Sequence, residues 1–381
     1  MQSPRIFVIA PDSFKGSLTS IEAAQAMAQG LQRVWPDAMC RLLPMADGGE
    51  GTLDACLHGN AGSERLRTRV RGAGLAQRDT QFGIVQRDGK DAAIIEVAQV
   101  VGITEPTGMA APVGQRTTVG VGELLLQVLD RGVRDVMLGL GGSSTNDGGA
   151  GMLVGLGARL LDALGHAVAP IPDELQQVVK IDLNGLDARL GQCRLTILSD
   201  VDNPLTGPQG ATAVFGPQKG VTPDICARYN AAIGQFAECA ERAFQRAARN
   251  LPGAGAAGGL GFAGRLLGGT VHSGAEVIAG LLQLDNALCD AGWVLTGEGR
   301  GDVQTLHGKT PAIVARHARQ HGLPVTLLSG SLDRAALPAL NEVFDGCFSA
   351  TFGPATLPEL MADSRASLAD AAGQLACLMG R

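Results

Sequence analysis

The sequence predicts an α/β fold in two parts, a discontinuous domain built from both termini and a second domain inserted between them. Three observations predict it. Short β-branched or apolar runs alternate with amphipathic helical stretches. The two ends of the chain share one style, in which an apolar strand is followed by a polar or glycine turn and a helix. The middle is less regular and holds extended runs too close together to leave room for a helix. The expected boundaries are residues 1–65 and 285–381 for the discontinuous domain and 66–284 for the insert.

Arg5–Ala10 reads as the first strand. Thr19-Ser20-Ile21-Glu22 is a capping box, opening a helix whose expected apolar face is Ile21, Ala24, Ala28, Leu31 and Trp35. Arg41–Met45 reads as a second strand. Thr80–Val85 and Ala92–Val97, with Asp88-Gly89 between them, read as neighbours in a more antiparallel or mixed sheet. Further strands are expected at Asp135–Leu140, Leu195–Ser199, Trp293–Thr296, Val325–Leu328 and Val343–Phe348. Helices are expected at 116–130, 223–248, 275–289 and 358–379. One more is placed at about 311–321, with Thr310 as N-cap, Pro311 at the first position, and Gly322 and Pro324 beyond its end.

Composition narrows the function. Glycine supplies 54 of 381 residues, about twice the usual share, while charged residues are only 18%. The glycines are clustered, which points to backbone brought close to something. The 45% hydrophobic content excludes a disordered chain, and the formal net charge of −6 argues against a nucleic acid as main partner. No apolar run is long enough for a membrane span. The eight cysteines are scattered and are expected to be reduced, as in a cytoplasmic protein, and no zinc site is expected. The uncharged, glycine-rich stretch 251–274 reads as a packed or ligand-approaching loop rather than a linker.

Five polar clusters each follow an expected strand, where open parallel sheets bind ligands. In PDSFKGSL (11–18), Lys15 beside helix-terminal amides suits a phosphate or carboxylate; an ordinary turn is the plain alternative. In PMADGGEGTLDA (44–55), Asp47 and Glu50 flank two glycines and suit a metal or a hydroxyl-bearing substrate, or simply a helix N-terminus. LGLGGSSTNDGGAGML (138–153) is the strongest. Its six glycines free backbone N–H groups for an anion, and Ser143, Ser144, Thr145, Asn146 and Asp147 stand among them. In LSDVDNPLTG (198–207), continuing to Phe215–Gly220, Asp200 and Asp202 end a strand and suit magnesium or a general base; a capped turn is as good a reading. In LTGEGRGDVQTLHGKTP (295–311), Glu298, Arg300, Asp302 and Lys309 precede a helix and suit a nucleotide or substrate. Val303 stands where a Walker motif needs glycine, so Gly308-Lys309-Thr310 is not a standard P-loop. Dinucleotide chemistry loses its motif too, because Ser144 occupies the last glycine of GxGxxG.

The five blocks, in this order, resemble the bacterial glycerate kinase family of the type called glycerate kinase I, and the resemblance runs from near residue 6 to about 330. It implies a flavodoxin-like parallel-sheet domain and a smaller mixed-sheet α/β domain with the active site between them. It also implies an ATP-dependent kinase of D-glycerate that phosphorylates the 2-hydroxyl to give 2-phosphoglycerate. Phosphorylation at the 3-hydroxyl, another small-molecule kinase and a non-catalytic sugar-acid-binding protein are the alternatives. Within that reading Mg2+ falls to one or more of Asp47, Asp200 and Asp202, and the hydroxyl proton to Asp200 ahead of Asp47. Lys15 and Lys309 neutralise phosphate or the substrate carboxylate. Ser143, Ser144 and Asn146 bind substrate or phosphate, with Glu298 at the nucleotide. The expected partner is D-glycerate, in the cytoplasm, with neither nucleic acid nor membrane; a homo-oligomer is left open.

Overall fold

The computed structural model describes residues 5–378, apart from the side chains of residues 106 and 107. The chain divides into two compact units. One comprises the residues up to Asp47, Asp54–Ala61 and the residues from Ala275 onward; the other comprises Gly48–Leu53 and Gly62–Gly274.

The first unit is built on a five-stranded, all-parallel sheet in the order Gly346–Ser349, Val325–Ser329, Trp293–Thr296, Ile6–Ile9, Met39–Leu42. From Ile6–Ile9 the chain moves one place outward to Met39–Leu42. From Trp293–Thr296 it moves the other way, strand by strand. The direction of winding therefore reverses between Ile6–Ile9 and Trp293–Thr296, and such a switch point opens a crevice at the carboxyl ends of its strands. The helix Ser20–Val34 starts at the expected capping box, with Glu22 N–H donating to Thr19 Oγ1 at 3.2 Å and Thr19 N–H donating to Glu22 Oε2 at 2.9 Å. Its buried face is wider than expected. Ala23, Ala26 and Met27 join it, while Ile21 and Trp35 are only partly buried. The reason is a second partner, the terminal helix Ser364–Leu378, which approaches so closely that a Cβ on Gly30 would stand 2.0 Å from the Ala369 carbonyl oxygen.

The second unit holds a six-stranded mixed sheet in the order Thr270–His272, Arg194–Leu198, Asp135–Gly139, Lys90–Glu96, Gln77–Arg87, Glu64–Arg71. The first four strands are parallel neighbours, and the last two pair antiparallel. Asp88 and Gly89 both take positive φ, as the tight turn between the antiparallel strands requires. Phe82, Leu124, Met152, Phe236 and Phe262 lie in this unit's core. This unit holds more of the chain than the parallel-sheet unit, as the expected boundaries have it, whereas the resemblance implied a smaller mixed-sheet domain. The insert needs that length because helices, loops and a small ribbon, Arg159–Leu161 with Lys180–Asp182, are all added to its sheet.

Other departures are local. The helix expected over 116–130 begins at Val119. The one expected over 275–289 breaks at Gln283, which takes positive φ between Gly274–Leu281 and Leu284–Leu288. The last helical stretch divides at Asp363 into Leu357–Ala362 and Ser364–Leu378. All eight cysteines are free thiols. Among the described residues, no helix is long and apolar enough to cross a membrane.

Candidate functional site

In the parallel-sheet unit, three acidic residues end three adjacent strands at the switch point. Asp12 follows Ile6–Ile9, Asp47 follows Met39–Leu42 and Glu298 follows Trp293–Thr296. Backbone pairing runs past the strands and fixes their approach. Asp12 N–H donates to the Gly297 carbonyl at 2.8 Å, and Met45 N–H to the Pro11 carbonyl at 2.9 Å. Burial, then the charges of Asp47 and Glu298, push the Asp12 carboxyl up to about 7, against the opposing effects of Ser13 N–H and Thr310. Burial also raises the Glu298 carboxyl, opposed by the Thr305 hydroxyl at 2.6 Å and Lys309 Nζ at 3.3 Å. A crowded set of carboxylates, two of them held above their ordinary range, is a place that stabilises a cation or accepts a proton.

Lys309, not Thr310, is the N-cap of the helix Thr310–Gln320, whose first turn holds Pro311. Thr310 is instead buried and acts on Asp12. Lys15 is exposed on the turn closed by Phe14 N–H to the Leu18 carbonyl at 2.8 Å. Asp302 caps the short helix Val303–Leu306, accepting from Gln304 N–H at 2.8 Å.

In the mixed-sheet unit, the loop after Asp135–Gly139 is backbone packed on backbone. Gly141 N–H donates to the Gly48 carbonyl at 3.0 Å, and a Cβ on Gly141 would stand 2.4 Å from Gly49 Cα. On another side the stretch 251–274 is packed against the same loop. Gly258 and Gly259 take positive φ, and Cβ atoms there would meet the Thr145 carbonyl oxygen at 2.1 Å and Gly148 Cα at 2.4 Å. The part of the glycine excess with no motif of its own is thus the support of the loop that has one.

The loop's polar side chains sort into two kinds. Ser144 Oγ donates to the Val101 carbonyl at 2.9 Å, and the Asn146 amide donates to Thr212 Oγ1 at 3.1 Å. Asp147 accepts from Thr118 N–H at 2.7 Å, Thr118 Oγ1–H at 2.8 Å, Gly149 N–H at 3.0 Å and Gly151 N–H at 3.1 Å. Burial nonetheless holds the Asp147 carboxyl above its ordinary value. Ser143 and Thr145 are different. Ser143 Oγ accepts from Lys219 Nζ at 3.0 Å, and Thr145 Oγ1 is buried without a partner among the described residues.

Sequence reasoning assigned no role to two cations beneath this loop. Lys219 is 2% exposed and also donates to the Thr145 carbonyl at 2.8 Å; burial pushes its ammonium down to about 7. Arg116 is 4% exposed and donates to the carbonyls of Ser144 at 3.0 Å and Lys219 at 2.9 Å. The one signal available was a lysine set between proline and glycines in Phe215–Gly220.

Asp200 and Asp202 are exposed beyond the strand Arg194–Leu198, and Asp200 Oδ1 accepts from Gly274 N–H at 3.2 Å. They belong to the mixed-sheet unit, whereas Asp47 belongs to the other. Among the described residues no three His, Cys, Asp or Glu side chains form a metal cluster. His317 and His321 do share a helix face, and both rings reach Asp285 Oδ1, at 2.9 and 3.1 Å.

Comparison with known proteins matches residues 7–380 to the model of the glycerate kinase family. The chain is 42% identical to a glycerate kinase of Bacillus subtilis strain 168, covering 92% of each. It is 40% identical to a glycerate 2-kinase of Escherichia coli K12, again covering 92% of each. A crystal structure from Salmonella typhimurium LT2, described as a glycerate kinase 2, superposes with a TM-score of 0.85 at 39% identity, covering 99% of this chain and 98% of that one. With the acidic switch point and the glycine loop both in place, these matches show that the chain belongs to the glycerate kinase family.

Proposed function

We propose that the protein transfers the γ-phosphoryl group of ATP to the 2-hydroxyl of D-glycerate, giving 2-phospho-D-glycerate and ADP. The observation that carries this reading is the meeting of Asp12, Asp47 and Glu298 at the switch point of a parallel sheet, in a chain whose relatives include a glycerate 2-kinase. Phosphoryl transfer asks for positioning and charge neutralisation more than for covalent chemistry, and this inventory of groups suits it.

The donor chemistry fits magnesium. Asp12 and Asp47 repel one another, and a hard divalent cation relieves such a pair. Mg2+ on nucleotide phosphates needs only one or two protein carboxylates, so the lack of a three-residue cluster among the described residues is compatible with it. One or more of Asp47, Asp200 and Asp202 would hold it, and when bound it offsets phosphate charge. Asp200 accepts the proton of the 2-hydroxyl, ahead of Asp47. Lys15 and Lys309 neutralise phosphate or the glycerate carboxylate, and Glu298 fixes Lys309 beside the nucleotide. Ser143 contacts the anionic ligand, while Ser144 and Asn146 shape the loop around it. We read the enzyme as cytoplasmic, a reading supported by its eight free thiols and use of ATP, and as working on a free small molecule, alone or as a homo-oligomer.

Asp200→Asn is expected to lower turnover by orders of magnitude with the circular dichroism spectrum unchanged; near wild-type turnover removes the base assignment. Phosphorus NMR of the product decides the position, and a 3-phosphoglycerate signal overturns the 2-hydroxyl reading. Magnesium-dependent release of ADP on adding D-glycerate separates the kinase from a sugar-acid-binding protein.

A further inference from the structure

The buried charge under the glycine loop does not balance. Lys219 and Arg116 are both buried, and among the described residues neither makes an ion pair. Arg116 gives its guanidinium to the neutral carbonyls of Met109, Ala111, Ser144 and Lys219 and to the Met109 sulfur. Lys219 gives its ammonium to a hydroxyl and a carbonyl. The acid acting on Lys219 is Asp147, whose oxygens already serve Thr118, Gly149 and Gly151. Two buried cations therefore face one buried carboxylate, an arrangement that costs stability unless an anion joins it.

Hydroxyl chemistry gives that anion a place. An ammonium only donates, so Ser143 Oγ is the acceptor of its bond with Lys219 and the Ser143 proton is left to be donated elsewhere. Among the described residues no group receives it, and Ser143 is 6% exposed, whereas Thr145 Oγ1 is buried and also unpartnered among them.

We infer that Lys219, backed by Arg116, is the positioning residue of the glycine loop, fixing Ser143 as a donor and making the loop positive toward an anionic group of a substrate. The inference rests on the phosphotransfer reading above. The anionic group is either a nucleotide phosphate or the glycerate carboxylate, and the two are separable by kinetics. Lys219 loses its proton as pH rises through about 7, with Arg116 and Asp147 the charged groups that act on it, so the loop's hold on the anion weakens in that direction.

The test measures KM for ATP and for D-glycerate separately, with kcat, between pH 6 and pH 9 in wild type, Lys219→Met and Lys219→Arg. The expected result is that Lys219→Met raises one of the two KM values about ten- to hundredfold and kcat much less. The substrate affected identifies the source of the anion. In wild type kcat/KM for that substrate falls as pH rises through the neutral range; Lys219→Met has no such fall, and Lys219→Arg restores part of the affinity. Unchanged KM values for both substrates, or a wild-type pH profile kept by Lys219→Met, overturn the inference. If Lys219→Met does not fold, Ser143→Ala is expected to raise the same KM, and no rise overturns the inference. If wild type fails to phosphorylate D-glycerate, the functional reading falls on its own. Calorimetry with inorganic pyrophosphate and with D-glycerate then tests Lys219 directly, and equal affinity in wild type and Lys219→Met overturns its role.

Discussion

Lys309 Nζ lies 3.3 Å from Glu298 Oε2, joining the end of the strand Trp293–Thr296 to the start of the helix Thr310–Gln320. Glu298 is buried and Lys309 partly exposed, so the pair is held more by the acid's need for a partner than by the lysine's. Lys309→Met leaves Glu298 with the Thr305 hydroxyl alone. We expect a loss of about 1 kcal/mol at pH 8, vanishing at acid pH where Glu298 is protonated, and weaker ATP binding. Urea unfolding at both pH values checks it; equal loss at both shows that the charge is not what matters.

Asp12 predicts a dependence of opposite kind. The folded chain keeps the Asp12 proton up to about pH 7, while the unfolded chain releases it near pH 4, at about the ordinary carboxylate value. The native state thus binds an extra proton between those values, and the destabilisation from Asp12 grows through that window and is complete above it. Asp12→Asn is expected to raise the thermal midpoint above pH 7 relative to wild type, with no gain near pH 4, while lowering turnover. A midpoint gain independent of pH contradicts the assigned cause.

Gly141 tests the backbone contact. A Cβ there would meet Gly49 Cα at 2.4 Å, so Gly141→Ala must displace one of two loops, costing about 1–3 kcal/mol and at least tenfold in kcat/KM. Gly165, at φ +83 with nothing within 4 Å of its Cβ, is the control. Gly165→Ala is expected to cost about 1 kcal/mol of backbone strain and no activity.

Asp147 organises the loop from inside by accepting from two residues of the loop and from Thr118. Asp147→Ala leaves those N–H groups buried and unpaired, for an expected loss of about 3 kcal/mol or more by urea unfolding. Thr118→Val removes only the hydroxyl and is expected to cost about 1–2 kcal/mol.

The sequence carried the parallel-sheet unit well, because each of its elements is local. Trp293–Thr296 falls where it was expected, and the capping box at Thr19 starts its helix. It carried less where two segments share one packing problem. Gln283 turns left-handed inside an apolar run that reads as one helix, and Arg116–Thr118 stay outside their helix, with Asp147 accepting from the Thr118 N–H. The candidate site divides in the same way. Asp47, Glu298 and Ser143 lie in motifs after strands, where topology alone predicts ligands. Lys219 and Arg116 are 76 and 28 residues away from the loop residues they bind, and no local period records such a pairing.

Gly258 and Gly259 close against Thr145 and Gly148 with no side chain between them. An ordinary core can drift, since a methyl lost at one position is regained at its neighbour. A seam of main chain has no such currency of exchange, and so no neutral path along which to wander. A descendant of this protein that takes a different acid will keep these glycines and change the groups standing on the loop, Ser143 and Thr145, leaving the frame inherited and the specificity free to move.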